Sequence, residues 1–163
     1  VRNERDMRNW FKCVCKADKK RRFTLTWVEH APGSTVGAPD LFIGFDGQHV
    51  AIELKRLVVK KDGSFKVKVQ PSQPVWHKTQ TAAGINAFFV LGGEFLGAEF
   101  MYLVHSSLKP WELSSISELI DLNAETGLCN LLREYATSLD YSLGKAMARN
   151  AELNGLVDEL MAI

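Results

Sequence analysis

At 163 residues, 46% hydrophobic and 24% charged, the chain fits one globular domain with a sizeable core. No run of about 18 apolar residues occurs, which excludes a membrane-spanning helix, and Val1 to Trp10 show no signal-peptide pattern. The net charge of +1 hides an asymmetry: residues 1–82 carry 16 Lys/Arg and 8 Asp/Glu, residues 83–163 carry 4 and 11, so a polyanionic partner is drawn to the first half.

In chain order, residues 3–16 place Met7, Trp10, Phe11 and Val14 at helical spacing and predict an amphipathic helix. A basic cluster, Lys19, Lys20, Arg21 and Arg22, precedes a β-type run over 23–28, and Pro32-Gly33-Ser34 mark a loop. Two strand-like runs, 41–45 and 49–55, flank Asp46-Gly47, a pair that favours a tight hairpin turn. A second hairpin is expected over 57–69 around Asp62-Gly63. Ser72 is expected to cap a helix over 73–83, with Gly84 as its stop. Residues 87–91 and 100–104 read as strands. From Trp111 the pattern is helical, with Leu113, Ile116, Leu119 and Ile120 apolar. The order predicts an α/β core over 1–104 and a helical C-terminal extension over 105–163, packed on the same domain. Cys13, Cys15 and Cys129 have no C-x-x-C spacing, which argues against a disulfide scaffold or structural zinc and for a reduced, intracellular (cytoplasmic) protein.

The chemistry concentrates in the first hairpin. If Asp46-Gly47 is a two-residue turn, Phe45 pairs with Gln48, and the same register sets Asp40 opposite Glu53, with Cβ atoms roughly 4.5–5.5 Å apart. Lys55 then shares the face of Glu53, together with Phe42, Gly44, His49 and Ala51. The opposite face, Leu41, Ile43, Phe45, Val50, Ile52 and Leu54, is apolar and is expected to pack on a helix. Two carboxylates side by side repel unless a cation lies between them, and hard oxygen donors suit Mg2+ or Mn2+. Such an ion would polarise a phosphate oxygen and acidify a bound water, while Lys55 held the water or neutralised developing charge. The plainer reading of these residues is an exposed hairpin with Asp, Glu and Lys on its wet face.

Gly37-Ala38-Pro39-Asp40 followed by Glu53-Leu54-Lys55 resembles the signature of the PD-(D/E)XK nuclease superfamily. Gln73-Pro74-Val75-Trp76, then Ala83-Gly84, is similar to the helix after E-x-K in VRR-NUC-type nucleases. RecU-like and archaeal Holliday-junction resolvases share a related layout. The resemblance covers residues 3–104. It implies a mixed central sheet flanked by helices, a restriction-endonuclease-like core. It also implies Asp40, Glu53 and the Leu54 main-chain carbonyl as metal ligands, with a glutamate from the first helix, Glu4, or its rival Glu29. Gln73 is implied to approach the site, with Gln70 as a competitor, and Trp76 and Ala83 to face the core.

His77 and Gln80 follow Gln73 on one helix face. His77 is a candidate nucleic-acid contact, its plainer reading being a solvated helix residue. Lys60, Lys61, Lys66 and Lys68, with Lys19 to Arg22, are candidate phosphate contacts that position a duplex without reading its sequence. The function these readings imply is a Mg2+-dependent endonuclease acting on DNA, branched by preference, in a homodimer of bacterial or phage type with no membrane partner. The alternatives are a non-catalytic nucleic-acid-binding module, or a restriction-type or RNA-cleaving enzyme on the same scaffold.

Overall fold

Three antiparallel strands and a later hairpin join into one sheet in the computed structural model, which describes residues 3–17, 23–28, 36–45 and 48–122. The expectations for Lys19 to Arg22, Glu29, the Pro32 loop, the Asp46-Gly47 turn and residues 123–163 of the extension lie outside these residues.

Helix α1 spans Glu4–Ala17, followed by strands β1 Phe23–Trp27, β2 Leu41–Phe45 and β3 Gln48–Arg56. Helix α2 covers Ser72–Ala82, and β4 Asn86–Phe95 and β5 Ala98–His105 complete the strands. Two 3-10 turns, Ser106–Leu108 and Pro110–Glu112, lead to the short α3, Ile116–Asp121. The Ser115 hydroxyl caps α3 by accepting from the Glu118 N–H.

The five strands lie in the order β1-β2-β3-β4-β5. β1, β2 and β3 pair antiparallel, β3 and β4 parallel, and β4 and β5 antiparallel, so the sheet is mixed, as expected. The parallel step needs a crossover, and α2 lies within it.

The sheet buries both faces. On one, Met7 and Phe11 of α1 pack on Leu41, Ile43, Val50, Ile52 and Leu54, the apolar face predicted for the first hairpin. On the other, Phe89, Leu91, Phe100, Tyr102 and Val104 meet Leu57, Phe65, Leu113, Ile116 and Leu119. Glu53 pairs with Phe89 and Lys55 with Leu91, so both charged residues share this second face.

Three details depart from the sequence reading. Residues 57–69 form no hairpin: their single β-bridge is Ser64 with Ser115, and the Phe65 N–H donates to the Ser114 carbonyl. The alternation that suggested a strand is present, with Phe65 and Val67 buried and Lys66 and Lys68 exposed, but the inward residues fill a core instead of pairing with a partner strand. The last two strands run longer than predicted and are joined by Leu96-Gly97, both at positive φ (50° and 77°), the signature of a type I′ turn. Finally, Ser72 is the first helical residue of α2 and not its cap. Pro71 takes that position without a side-chain cap bond, and Ala83, expected in the core, is exposed.

Candidate active site

The register of the first hairpin is the predicted one, from Phe45 with Gln48 to Leu41 with Ile52. It ends at Asp40. The Asp40 N–H donates to the Ile52 carbonyl at 3.1 Å, a partner the register assigns to Leu41, so Asp40 and Leu41 share one opposing residue in the manner of a bulge. On its other side the Asp40 carbonyl accepts from the Val28 N–H at 2.9 Å, which continues the β1–β2 pairing. The bulge re-aims the Asp40 carboxylate along β3, where Oδ2 accepts from the Leu54 N–H at 2.8 Å.

The loop before Asp40 is tied to α2. Gly37 has φ of +82°, and a side chain there would collide with the Ser72 carbonyl in the first turn of the helix. Gly37 therefore permits both the left-handed backbone and the close approach. The contact brings the helix start, with Gln73, over the end of the hairpin.

Gln73 is held by both ends of its amide. Its Oε1 accepts from the Gln70 N–H at 2.9 Å, and its Nε2 donates to Glu53 Oε1 at 2.6 Å. The first bond, to an N–H three residues back at the helix start, orients the amide so that its donor faces the carboxylate. Gln70 is exposed and serves through its backbone, so Gln73 is the glutamine that reaches the site. The Lys55 ammonium lies 3.3 Å from the same Glu53 oxygen.

Glu53 is 3% exposed. Burial and the nearby Asp40 carboxylate push its pKa up to about 8, with Glu4 adding to the rise, while Lys55 opposes it. Glu4 thus feels the site from the start of α1, whereas Glu29 lies outside the described residues. Arg8, one turn beyond Glu4, places its guanidinium 3.0 Å from Asp40 Oδ1, while stacking over Trp27. The sequence reading did not single out Arg8. Its position one helical turn after Glu4 was the available signal.

His77 is not the solvated contact that helical spacing suggested. It is fully buried between Trp76 and Phe89, and its Nδ1 lies 2.7 Å from the Ser106 hydroxyl, which was also missed. Burial, then the Lys55 charge, lowers its pKa to about 4, so the ring is neutral and out of reach of a nucleic-acid strand. Of the proposed phosphate contacts, Lys60, Lys61, Lys66 and Lys68 are exposed on the 57–69 segment.

Among the described residues no three His, Cys, Asp or Glu side chains form a metal cluster. The oxygen donors assembled are the Asp40 and Glu53 carboxylates, which matches the one or two carboxylates that Mg2+ takes while keeping its waters. Burial first and the Asp40 charge second raise the Glu53 pKa against the pull of Lys55, and a divalent cation between the two carboxylates would relieve the second of these.

No protein-family model matches the chain, and no curated protein does. Among solved structures, the Holliday junction resolvase Hjc of the archaeal hyperthermophile Archaeoglobus fulgidus is similar at 17% identity and a TM-score of 0.49, over 76% of this chain and 98% of that one.

Proposed function

We propose that the chain is a metal-dependent nuclease whose reacting centre is Asp40, Glu53 and Lys55, assisted by Gln73. The observation that carries the reading is the buried Glu53 carboxylate, contacted at once by an ammonium and an amide and set near a second carboxylate. Burying a carboxyl beside a second carboxylate costs stability, and groups perturbed in this way concentrate at functional sites.

Asp40 and Glu53 would hold a divalent cation, Mg2+ or Mn2+, with the Leu54 carbonyl and Glu4 as further oxygen donors. When bound, that ion supplies a polarised phosphate oxygen and an acidified water. The chain's own groups complete the task. Lys55 presents positive charge where a phosphorane oxygen or the attacking oxygen gains negative charge. Gln73 fixes the orientation of Glu53 through a donor that its bond to the Gln70 N–H has already aimed. His77 and Phe89 form a dry wall behind these groups, which strengthens every interaction within it.

Nucleic acid is the substrate class that matches the basic first half of the chain, and DNA, branched by preference, is the reading that follows from the sequence resemblance. A symmetric dimer would supply paired cuts on such a substrate. Binding without cleavage is the competing reading, and it draws on Arg8, whose guanidinium already neutralises Asp40. Labelled linear, flapped, bubble and four-way substrates, each with Mg2+, Mn2+ or chelator, separate the two. Cleavage that requires the metal supports the proposal. Tight binding with no cleavage in any metal supports the competitor.

A further inference from the structure

The segment that follows β3 forms an open pocket of about 370 Å³ whose lining includes four cations, Arg56, Lys60, Lys66 and Lys68, with Val58 and Phe65 as apolar wall. We infer that this pocket holds one nucleotide by its phosphate, at a site separate from the bond that is cut. The inference rests on the nuclease reading for its view that the nucleotide belongs to the substrate strand, but the pocket's preference for a phosphate stands on its own residues.

The cations converge for structural reasons. Burial of Phe65 and Val67 forces Lys66 and Lys68 outward on one side of an extended segment. The turn closed by the Lys60 N–H to Ser64 carbonyl bond at 2.9 Å brings Lys60 back beside them. Arg56 ends β3, its Nη1 donating to the Leu57 carbonyl at 3.2 Å while its Nε is buried without a partner. Among the described residues no carboxylate lines the pocket. The nearby Asp62 is occupied by the Ser64 hydroxyl and N–H at 2.6 and 3.0 Å, and these bonds, more than the Lys60 charge, hold it below the usual carboxylate range. Four positive groups around one pocket repel one another unless an anion binds.

The size and the apolar wall name the rest of the ligand. The volume lies within the ~300–1,000 Å³ of small-molecule pockets, well above what a bare phosphate fills. Val58 is 71% exposed and offers a sugar or base an apolar surface beside the charges. Arg56 directly follows Lys55, and strand alternation sends the two side chains to opposite sides of β3, so the phosphate in the pocket is not the reacting one.

The test uses the full chain carrying Glu53→Gln, in chelator, so that no cleavage intervenes. Thymidine 3′,5′-bisphosphate and duplexes differing only in a 5′-phosphate are the probes, measured by direct titration. Lys66→Ala and Lys68→Ala remove exposed pocket cations, and Lys78→Ala removes the same charge from an exposed position on α2 outside the lining. Bisphosphate binding should weaken about 10-fold or more with either pocket variant and less than about 2-fold with Lys78→Ala. A 5′-phosphate preference lost in Lys66→Ala would assign a strand end to the pocket. Equal weakening of 5′-phosphorylated and 5′-hydroxyl duplexes would assign an internal phosphate. Equal effects of Lys78→Ala and Lys66→Ala, or thymidine competing as well as its bisphosphate, would overturn the inference. Should no substrate be cleaved by the parent chain, the bisphosphate titration still decides the pocket.

Discussion

Arg8 reaches from α1 to hold Asp40 Oδ1 at 3.0 Å, while Asp40 Oδ2 accepts from the backbone of Leu54. A guanidinium at this point competes with any cation that the carboxylate would bind. Arg8→Ala should therefore tighten Mg2+ or Mn2+ binding, by about 10-fold for a coupling near 1.4 kcal/mol. It should also lower the melting temperature in chelator, because Asp40 loses its counter-charge. Calorimetric titration checks the first effect and a thermal melt the second. Weaker metal binding in Arg8→Ala would show that the guanidinium helps to build the site.

Asp40→Asn and Glu53→Gln should abolish cleavage and leave nucleic-acid binding within a few-fold of the parent. Gel-based cleavage and anisotropy titrations on the same substrate make the comparison. Residual cleavage above about 1% of the parent in either variant would remove that carboxylate from the reaction.

Lys55→Ala should cut the turnover rate by roughly 10²-fold or more, as for loss of one preorganised charge. Gln73→Ala should cost less, since its bond to Glu53 is a single amide donor, and Gln70→Ala should be silent because only its backbone is used. Single-turnover rates at saturating substrate give the ranking.

The two buried titratable groups bias stability in opposite directions with pH. Glu53 has its folded pKa raised from 4.5 to about 8, so the folded state holds a proton that the unfolded state has lost, and its contribution falls as pH rises between those values. His77 has its folded pKa lowered from 6.5 to about 4, so the unfolded state binds the extra proton, and stability is lost as pH falls through that window. The metal-free protein should be most stable near the overlap and should weaken above about pH 6.5. Glu53→Gln should flatten the alkaline decline, and Mg2+ should stabilise the parent more at pH 8 than at pH 6, since binding releases the proton. Denaturant melts across pH with and without chelator read all three.

Gly37→Ala should lower stability by about 1–3 kcal/mol, from the left-handed backbone and the collision with Ser72. It should also reduce cleavage more than its stability loss explains, because the same contact sets both the Asp40 loop and the helix that carries Gln73. Activity measured well below the melting temperature isolates the second effect.

The hairpin chemistry was legible in the sequence because alternation and a two-residue turn fix a register, and the register holds from Phe45 to Leu41. It fails one residue short, at Asp40, where a bulge depends on what the neighbouring strand supplies on each side. Lys60 to Lys68 misled for a related reason. Alternating burial of Phe65 and Val67 looks the same whether the outer backbone finds a strand or a lone bridge to Ser115. His77 could not be read at all: helical spacing puts it one turn from Gln73, but only the packing of β4 and the Ser106 turn decides that this face is closed.

The parallel pairing of β3 with β4 has a consequence for how the site comes into being. Asp40, Glu53 and Lys55 sit within 16 residues of one another and can meet as soon as the first hairpin closes. Gln73 and the burial supplied by Phe89 arrive only when the whole 57–85 connection has folded across and β4 has docked, an event with a larger loop-closure cost. Before that moment the Glu53 carboxyl is still in water and titrates as an ordinary acid. Its proton uptake therefore belongs to the docking step, and the refolding rate in chelator should slow between pH 5 and pH 8 to the extent that the transition state has already closed over Glu53. A folding chevron recorded at several pH values would time the assembly of the centre by following its proton.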